Sequence, residues 1–441
     1  MTNTRQHNKS GTYPLYHFTR LGFNPIKHST LYWFVFALAV LNSNTTTANT
    51  CPTSTPFMQS AGQTPSTEDG AENWFQHEFA SGARWQLCWR VHPVTGLGVS
   101  QVSYAAPGES MRQVLDKATL AQVLIKYDDE SQDNAVLPIP GLGGDNAITA
   151  NSLLCQSGNV LTSTTGQHIC QSVRDKNSLT TTRRTASLRR HELTLSARSE
   201  VDTLLIDQRW HFSEDGQISP EIQLSGELSR FTRASEYGSP VGLSQVLATN
   251  ASLLYTWRLD FNINGTAEND LIESIEFVPF ETDVVRRTIN RSEIETESLH
   301  NVNAEQFRGW LISDADVSAG NSGHTNIAYF LDPQTSGYRF VSRTKNWATF
   351  DLAVTKRKEC EQYPSQNNLV TSNASDTCGN SLDDFVNGES LINEDSVIWF
   401  SLSRQLLPKK EDLPVLQPRR AHFVLTPFDW SAHSRFSEAP E

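Results

Sequence analysis

The chain has 441 residues, room for one large domain or two ordinary ones. Lys+Arg total 36 against 49 Asp+Glu, a formal net charge of −13 without a basic tract, which argues against nucleic acid or an anionic membrane as partners. Hydrophobic content of 37% permits a buried core within a chain otherwise rich in polar loop.

At the N-terminus, Arg5, Lys9, Arg20 and Lys27 precede an apolar run over residues 31–41, and a polar Asn/Thr stretch follows. The run falls well short of the ~20 residues needed to span a bilayer as a helix. Residues 1–48 therefore read as a secretory signal with a long basic lead, or alternatively as a signal anchor. A secreted, periplasmic or extracellular destination follows, with no membrane contact beyond this segment. Residues 49–72 are rich in Ser, Thr, Asn, Pro and Gly and read as a disordered linker. One folded domain is expected over 73–438.

From Trp85 onward the pattern is one of short strands and turns. Residues 84–91 and 97–104 form a predicted hairpin, with Pro93 and Gly96 in the connection. Further strands are predicted at 120–127, 193–197, 204–212 and 218–228. In 249–265, Leu253, Tyr255 and Trp257 alternate with Leu254, Thr256 and Arg258, the period of a strand packed on one face. Asp260, Asn262 and Asn264 then place short oxygen-bearing side chains at its end. Strands continue at 271–279, 310–313, 325–331, 338–341, 350–354, 397–402 and 421–425, while 286–307 reads as short helical turns. Without a Gly-rich phosphate loop, an internal repeat or sustained helical periodicity, the fold class is all-β: a large β-sandwich with few short helices.

Six cysteines form an even set without a Cys-x-x-Cys pair, which argues against a zinc ribbon. Cys155 and Cys170, and Cys360 and Cys378, each enclose a short polar segment and suit local disulfides in an oxidising compartment. Cys51 and Cys88 complete the set. The second local pair would hold the polar, loop-rich stretch 359–389.

Five ordered blocks resemble the catalytic β-domain of the copper amine oxidases. They are the Trp85–Tyr104 stretch, Ala150-Asn-Ser-Leu-Leu-Cys155, Trp210-His-Phe-Ser-Glu-Asp-Gly-Gln-Ile218, Arg258-Leu-Asp-Phe-Asn-Ile-Asn-Gly265, and Asn393-Glu-Asp-Ser-Val-Ile-Trp399 with Glu411-Asp-Leu-Pro-Val-Leu416. The family's small N-terminal domains have no counterpart here. The resemblance implies copper held by three histidines, a tyrosine converted to topaquinone, and a carboxylate base that removes a proton from the amine substrate. Those positions carry other residues in this chain. Ala251, Leu253 and Leu406 stand at the copper positions, Leu204 at the quinone position, and the base falls near Ile139-Pro140, where no acid occurs until Asp145. Of the histidines considered as substitutes (His92, His168, His191, His211, His300, His324, His422 and His433), none pairs at two- or four-residue spacing.

The resemblance also implies a calcium-like ion. Its ligands would be the side chains of Asp260, Asn262 and Asp395 and the main-chain carbonyls of Phe261 and Ser396. Asn262 supplies no charge, and turn capping by the two aspartates is the competing role. A homodimer is implied as well.

Three functional readings follow. The first is a secreted, catalytically inactive relative with a structural or binding role. The second is a primary-amine oxidase (amine to aldehyde plus hydrogen peroxide) using a displaced tyrosine among Tyr237, Tyr255, Tyr329 and Tyr338. The third is a carbohydrate- or surface-binding module, which requires an exposed patch among Trp74, Trp85, Trp89 and Trp430.

Overall fold

The computed structural model describes residues 46–47, 49–51, 72–129, 133–155, 158–176, 190–243, 246–265, 268–281, 283–314, 327–334, 346–370 and 378–431. The apolar run at 31–41 and the strand expected at 338–341 lie outside them. In chain order the main strands are β1 (Arg84–His92), β2 (Gly96–Ala105), β3 (Arg112–Tyr127), β4 (His168–Asp175), β5 (His191–Val201), β6 (Leu204–Ser213), β7 (Ile218–Gly226) and β8 (Ala251–Phe261). They continue as β9 (Asp270–Phe280), β10 (Asp283–Glu293), β11 (Gly309–Asp314), β12 (Ala328–Asp332), β13 (Leu352–Lys356), β14 (Ser396–Leu406), β15 (Leu416–His422) and β16 (Val424–Phe428).

Two sheets dominate. One runs β1-β2-β3-β8-β14-β13 through its centre, and the other runs β4-β5-β6-β7-β16-β12-β11-β9-β10, with β15 also on β7. Their inner faces form one apolar core, cross-linked by donors from one sheet to carbonyls of the other. Trp85 Nε1 donates to the Ser213 carbonyl at 2.9 Å and Trp210 Nε1 to that of Leu97 at 3.1 Å. Aromatic edges close the centre, with Trp257 against Phe423 at 5.2 Å and Trp310 against Phe400 at 6.2 Å between ring centroids. The all-β sandwich with few helices is therefore the fold observed.

Three expectations need correction. β8 is buried on both faces rather than one, because described residues within 346–370 and 378–386 cover its outer side. Its odd-numbered residues enter the main core, while Leu254 packs with Leu124 and Ala348, and Thr256 Oγ1 lies 2.7 Å from Ser401 Oγ. Residues 286–307 are not helical: half belong to β10 and to the short strand Ser298–His300, because pairing with β9 and β13 satisfies their backbone. The linker assigned to 49–72 also begins too early. Asn49–Thr50 is a strand paired with Trp74 and Asn73, and Cys51 is bonded to Cys88. The other disulfides, Cys155–Cys170 and Cys360–Cys378, are those expected from the spacing. Three disulfides suit an oxidising, extracellular environment. No helix among the described residues is long and apolar enough to cross a membrane.

Candidate functional site

The strand period decides which side chains of β6, β8 and β14 meet. Leu204, Ile206, Trp210 and Phe212 of β6 point inward, as do Ala251 and Leu253 of β8 and Leu406 of β14, all in the same continuous core. Ala251 faces Leu406 directly across the β8–β14 ladder, and Leu253 stands opposite Arg404. Leu204 pairs with Gly226, which in turn pairs with Leu416. Leu204 is 8% exposed, Leu406 3%, and Ala251 and Leu253 fully buried. Such side chains offer no lone pair to a metal and no phenol, so the residues present at these positions fit neither copper nor topaquinone. Pro140 lies in an exposed turn, and Asp145 is exposed in the short 3-10 helix Gly144–Asn146 that follows.

The tyrosines considered as substitutes are scattered. Tyr237 is 42% exposed, while Tyr255 is buried beside Trp257. Tyr329 donates its hydroxyl to the Gly216 carbonyl at 2.9 Å, and Tyr338 lies outside the described residues. Burial pushes Tyr255 and Tyr329 well above the usual phenol range. Of the histidines, His191 contacts Glu214, His211 contacts Glu192 and His168 contacts Thr162, while His324 and His433 lie outside the described residues. Among the described residues, one triad of His, Cys, Asp or Glu side chains is close enough to share an ion, Cys51, Glu72 and Cys88, and its two sulfurs are bonded to each other.

The end of β8 is different in kind. Asp260, 1% exposed, is the last acid before the chain turns at Asn264, whose φ of 65° is left-handed. Arg357, just past the end of β13, reaches Asp260 at 3.2 Å, Asp395 at 2.9 Å, Glu359 at 2.8 Å and Asp116 at 3.4 Å. Arg258 adds a contact to Asp260 at 3.4 Å and lies over the Trp399 ring. The Ser396 amide donates to Asp270 Oδ2 at 3.0 Å, bringing in a further buried acid.

The two guanidinium groups leave this cage under-compensated. Burial is the largest influence on Asp260 and pushes it up to about 7 against the attraction of Arg258 and Arg357. Burial likewise raises Asp270 and Asp395 above the usual carboxylate range. Asp260 Oδ1, Asn262 Oδ1 and Asp395 Oδ1 are buried without a hydrogen-bond donor. Buried oxygens left in that state are costly, and a hard cation with oxygen ligands would satisfy them. These are oxygen donors of the type that a calcium-like ion takes. Asp260, Asn262 and Asp395 are the side chains expected from the sequence, and the fold adds Arg357, Asp270 and Asp116 beside them. The available signal was the cationic triplet Lys356-Arg357-Lys358 in an acidic chain.

Comparison with known proteins agrees with the fold. The family model described as "Copper amine oxidase, enzyme domain" matches residues 171–441. The chain belongs to this family. Copper-containing amine oxidase 3 of Bos taurus is 26% identical over 260 residues, 54% of this chain and 33% of that protein. The liver isozyme of primary amine oxidase from Bos taurus is 25% identical over 252 residues, 52% of this chain and 32% of that protein. The chain therefore spans about a third of the length of these curated relatives. Two solved structures share the fold. A copper-containing benzylamine oxidase from Hansenula polymorpha aligns with a TM-score of 0.65 at 18% identity, covering 80% of this chain and 59% of that one. An amine oxidase from Aspergillus nidulans aligns with a TM-score of 0.66 at 17% identity, covering 86% and 56%.

The copper amine oxidase family normally uses copper and topaquinone. In this member the exposed tryptophan patch required of a carbohydrate-binding module is missing: Trp85, Trp89 and Trp430 are buried and Trp74 is half-buried.

Proposed function

We propose that this chain is a secreted, non-catalytic member of the copper amine oxidase family with a structural or binding role, stabilised by its disulfides and by a calcium-like ion at Asp260, Asn262 and Asp395. The observation that carries this reading is the apolar filling of the core at Leu204, Ala251, Leu253 and Leu406. Arg404 adds to it. It stands directly opposite Leu253, which sets a positive charge beside one of the positions assigned to copper. The purified chain is expected to release no hydrogen peroxide with primary amines, to give no quinone-dependent redox stain and to carry no stoichiometric copper. Amine turnover with copper and quinone present would instead establish the oxidase reading with a displaced tyrosine.

The homodimer belongs to the same proposal. The β9–β10 hairpin ends its sheet and exposes Phe277, Phe280, Val285 and Ile289, an apolar edge of the kind that a second copy covers. Sedimentation should report a dimer, and Phe280→Asp with Ile289→Asp should yield a folded monomer. A wild-type chain that stays monomeric at high concentration would exclude the dimer.

A further inference from the structure

The outward face of β4, β5 and β6 carries charge that the core does not explain. Along β6, Asp207, Arg209 and His211 point away from the core that Leu204, Ile206, Trp210 and Phe212 enter. Register places Thr194 beside His211, Ser196 beside Arg209 and Arg198 beside Asp207, while Arg174 of β4 stands opposite Glu192. The segment anchored by Cys155–Cys170 borders this face and makes it a cleft of about 290 Å³.

The cleft is basic in an acidic protein. Its lining includes Arg174, Arg198 and Arg209 but a single carboxylate, Asp207. That carboxylate is shared: Arg198 Nε and Nη2 reach it at 2.5 and 3.0 Å, and Arg209 Nη2 at 3.2 Å. Arg209 Nη1 contacts Glu221 at 2.7 Å, outside the lining. The Arg174 side chain is exposed and makes no hydrogen bond or ion pair with another described residue. His211 is oriented from behind: its Nδ1 lies 3.1 Å from Glu192 Oε1 and 3.0 Å from Thr194 Oγ1. Its Nε2 is buried with no partner. Lys176 also contacts Glu192, so the acid nearest the histidine is already matched by a cation.

A buried ring nitrogen held in place and left without a partner is costly unless something binds it. Guanidinium groups that share one carboxylate keep N–H donors for a second acceptor. We infer that this cleft is a binding site for a small oxyanion of the carboxylate or phosphate class, held by Arg174, the shared Arg198–Arg209 pair and His211 Nε2. The volume is at the lower end for ligand pockets, which selects a small molecule over a polymer. The site is distinct from the acidic cage and from the Leu204 core, and its test does not depend on whether amine oxidation occurs.

Calorimetry and thermal unfolding with inorganic phosphate and with succinate, at constant ionic strength set by sodium chloride, test the site on the full chain. Saturable binding of at least one probe is expected, and which probe binds identifies the oxyanion. Arg174→Ala should weaken that binding at least tenfold with no change in the midpoint without anion, since Arg174 has no described partner to lose. Arg174→Lys should restore part of the affinity. No saturable binding of either probe, or equal binding by Arg174→Ala, would overturn the assignment.

Discussion

Replacing Arg357 with methionine is expected to cost the fold about 3–5 kcal/mol, the range for leaving a buried charge without its partner. Arg357 is the centre of the acidic cage, in contact with Asp260, Asp395, Glu359 and Asp116. Methionine keeps the apolar stem and removes the charge, so Asp260 and Asp395 would face each other with Arg258 alone in support. Urea unfolding in a chelator measures the loss. An Asp260→Asn, Arg357→Met double variant should recover part of it, because the uncompensated carboxylate is then gone. Calcium is the second arm. An ion held at 100 times its dissociation constant adds about 2.7 kcal/mol, and Arg357→Met, with one positive charge fewer, should respond more strongly than the wild type. A loss below about 1 kcal/mol would remove Arg357 from the charge balance. A flat response to calcium in both proteins would remove the ion.

Period-2 alternation carried most of the fold, and its failures have particular causes. β10 is missed because its residues from Val285 to Glu293 are exposed, so neither face bears an apolar stripe. The first half of β3 is missed because the β3–β8 ladder shifts register at Thr256/Trp257 and at Asp260/Phe261, which breaks the alternation. β8 reads as one-sided because the segment covering its second face arrives about a hundred residues later in the chain. The site divides in the same way. Asp260 and Asn262 lie two residues apart at the end of β8 and Asp395 immediately precedes β14, so the three stand out in the sequence as a candidate set. Arg357, just past β13, and Asp116, on β3, come from elsewhere in the chain, and only folding shows that they converge. The cleft arginines were invisible for a similar reason: Arg174, Arg198 and Arg209 sit on three strands and form no run in the sequence.

Placing imidazoles at the positions assigned to copper is expected to change the protein most. In an Ala251→His, Leu253→His, Leu406→His variant, the register sets positions 251 and 406 face to face, and position 253 lies two residues along on the same face. Three donors from two adjacent strands then share one inward surface. Without metal, each imidazole enters an apolar core unpaired, at about 1–3 kcal/mol apiece. Binding of Cu(II) should recover stability and give the tetragonal electron paramagnetic resonance signature of nitrogen ligation. Arg404, opposite Leu253, opposes the ion, so adding Arg404→Gln should tighten binding further. Should the triple variant fail to fold, the facing pair Ala251→His and Leu406→His provides the same comparison at lower cost. A folded variant that ignores copper would show that these positions are not the former ligand set, and the non-catalytic reading would lose its main support. Copper uptake would show a scaffold that still aims three side chains at one point and has filled that point with hydrocarbon.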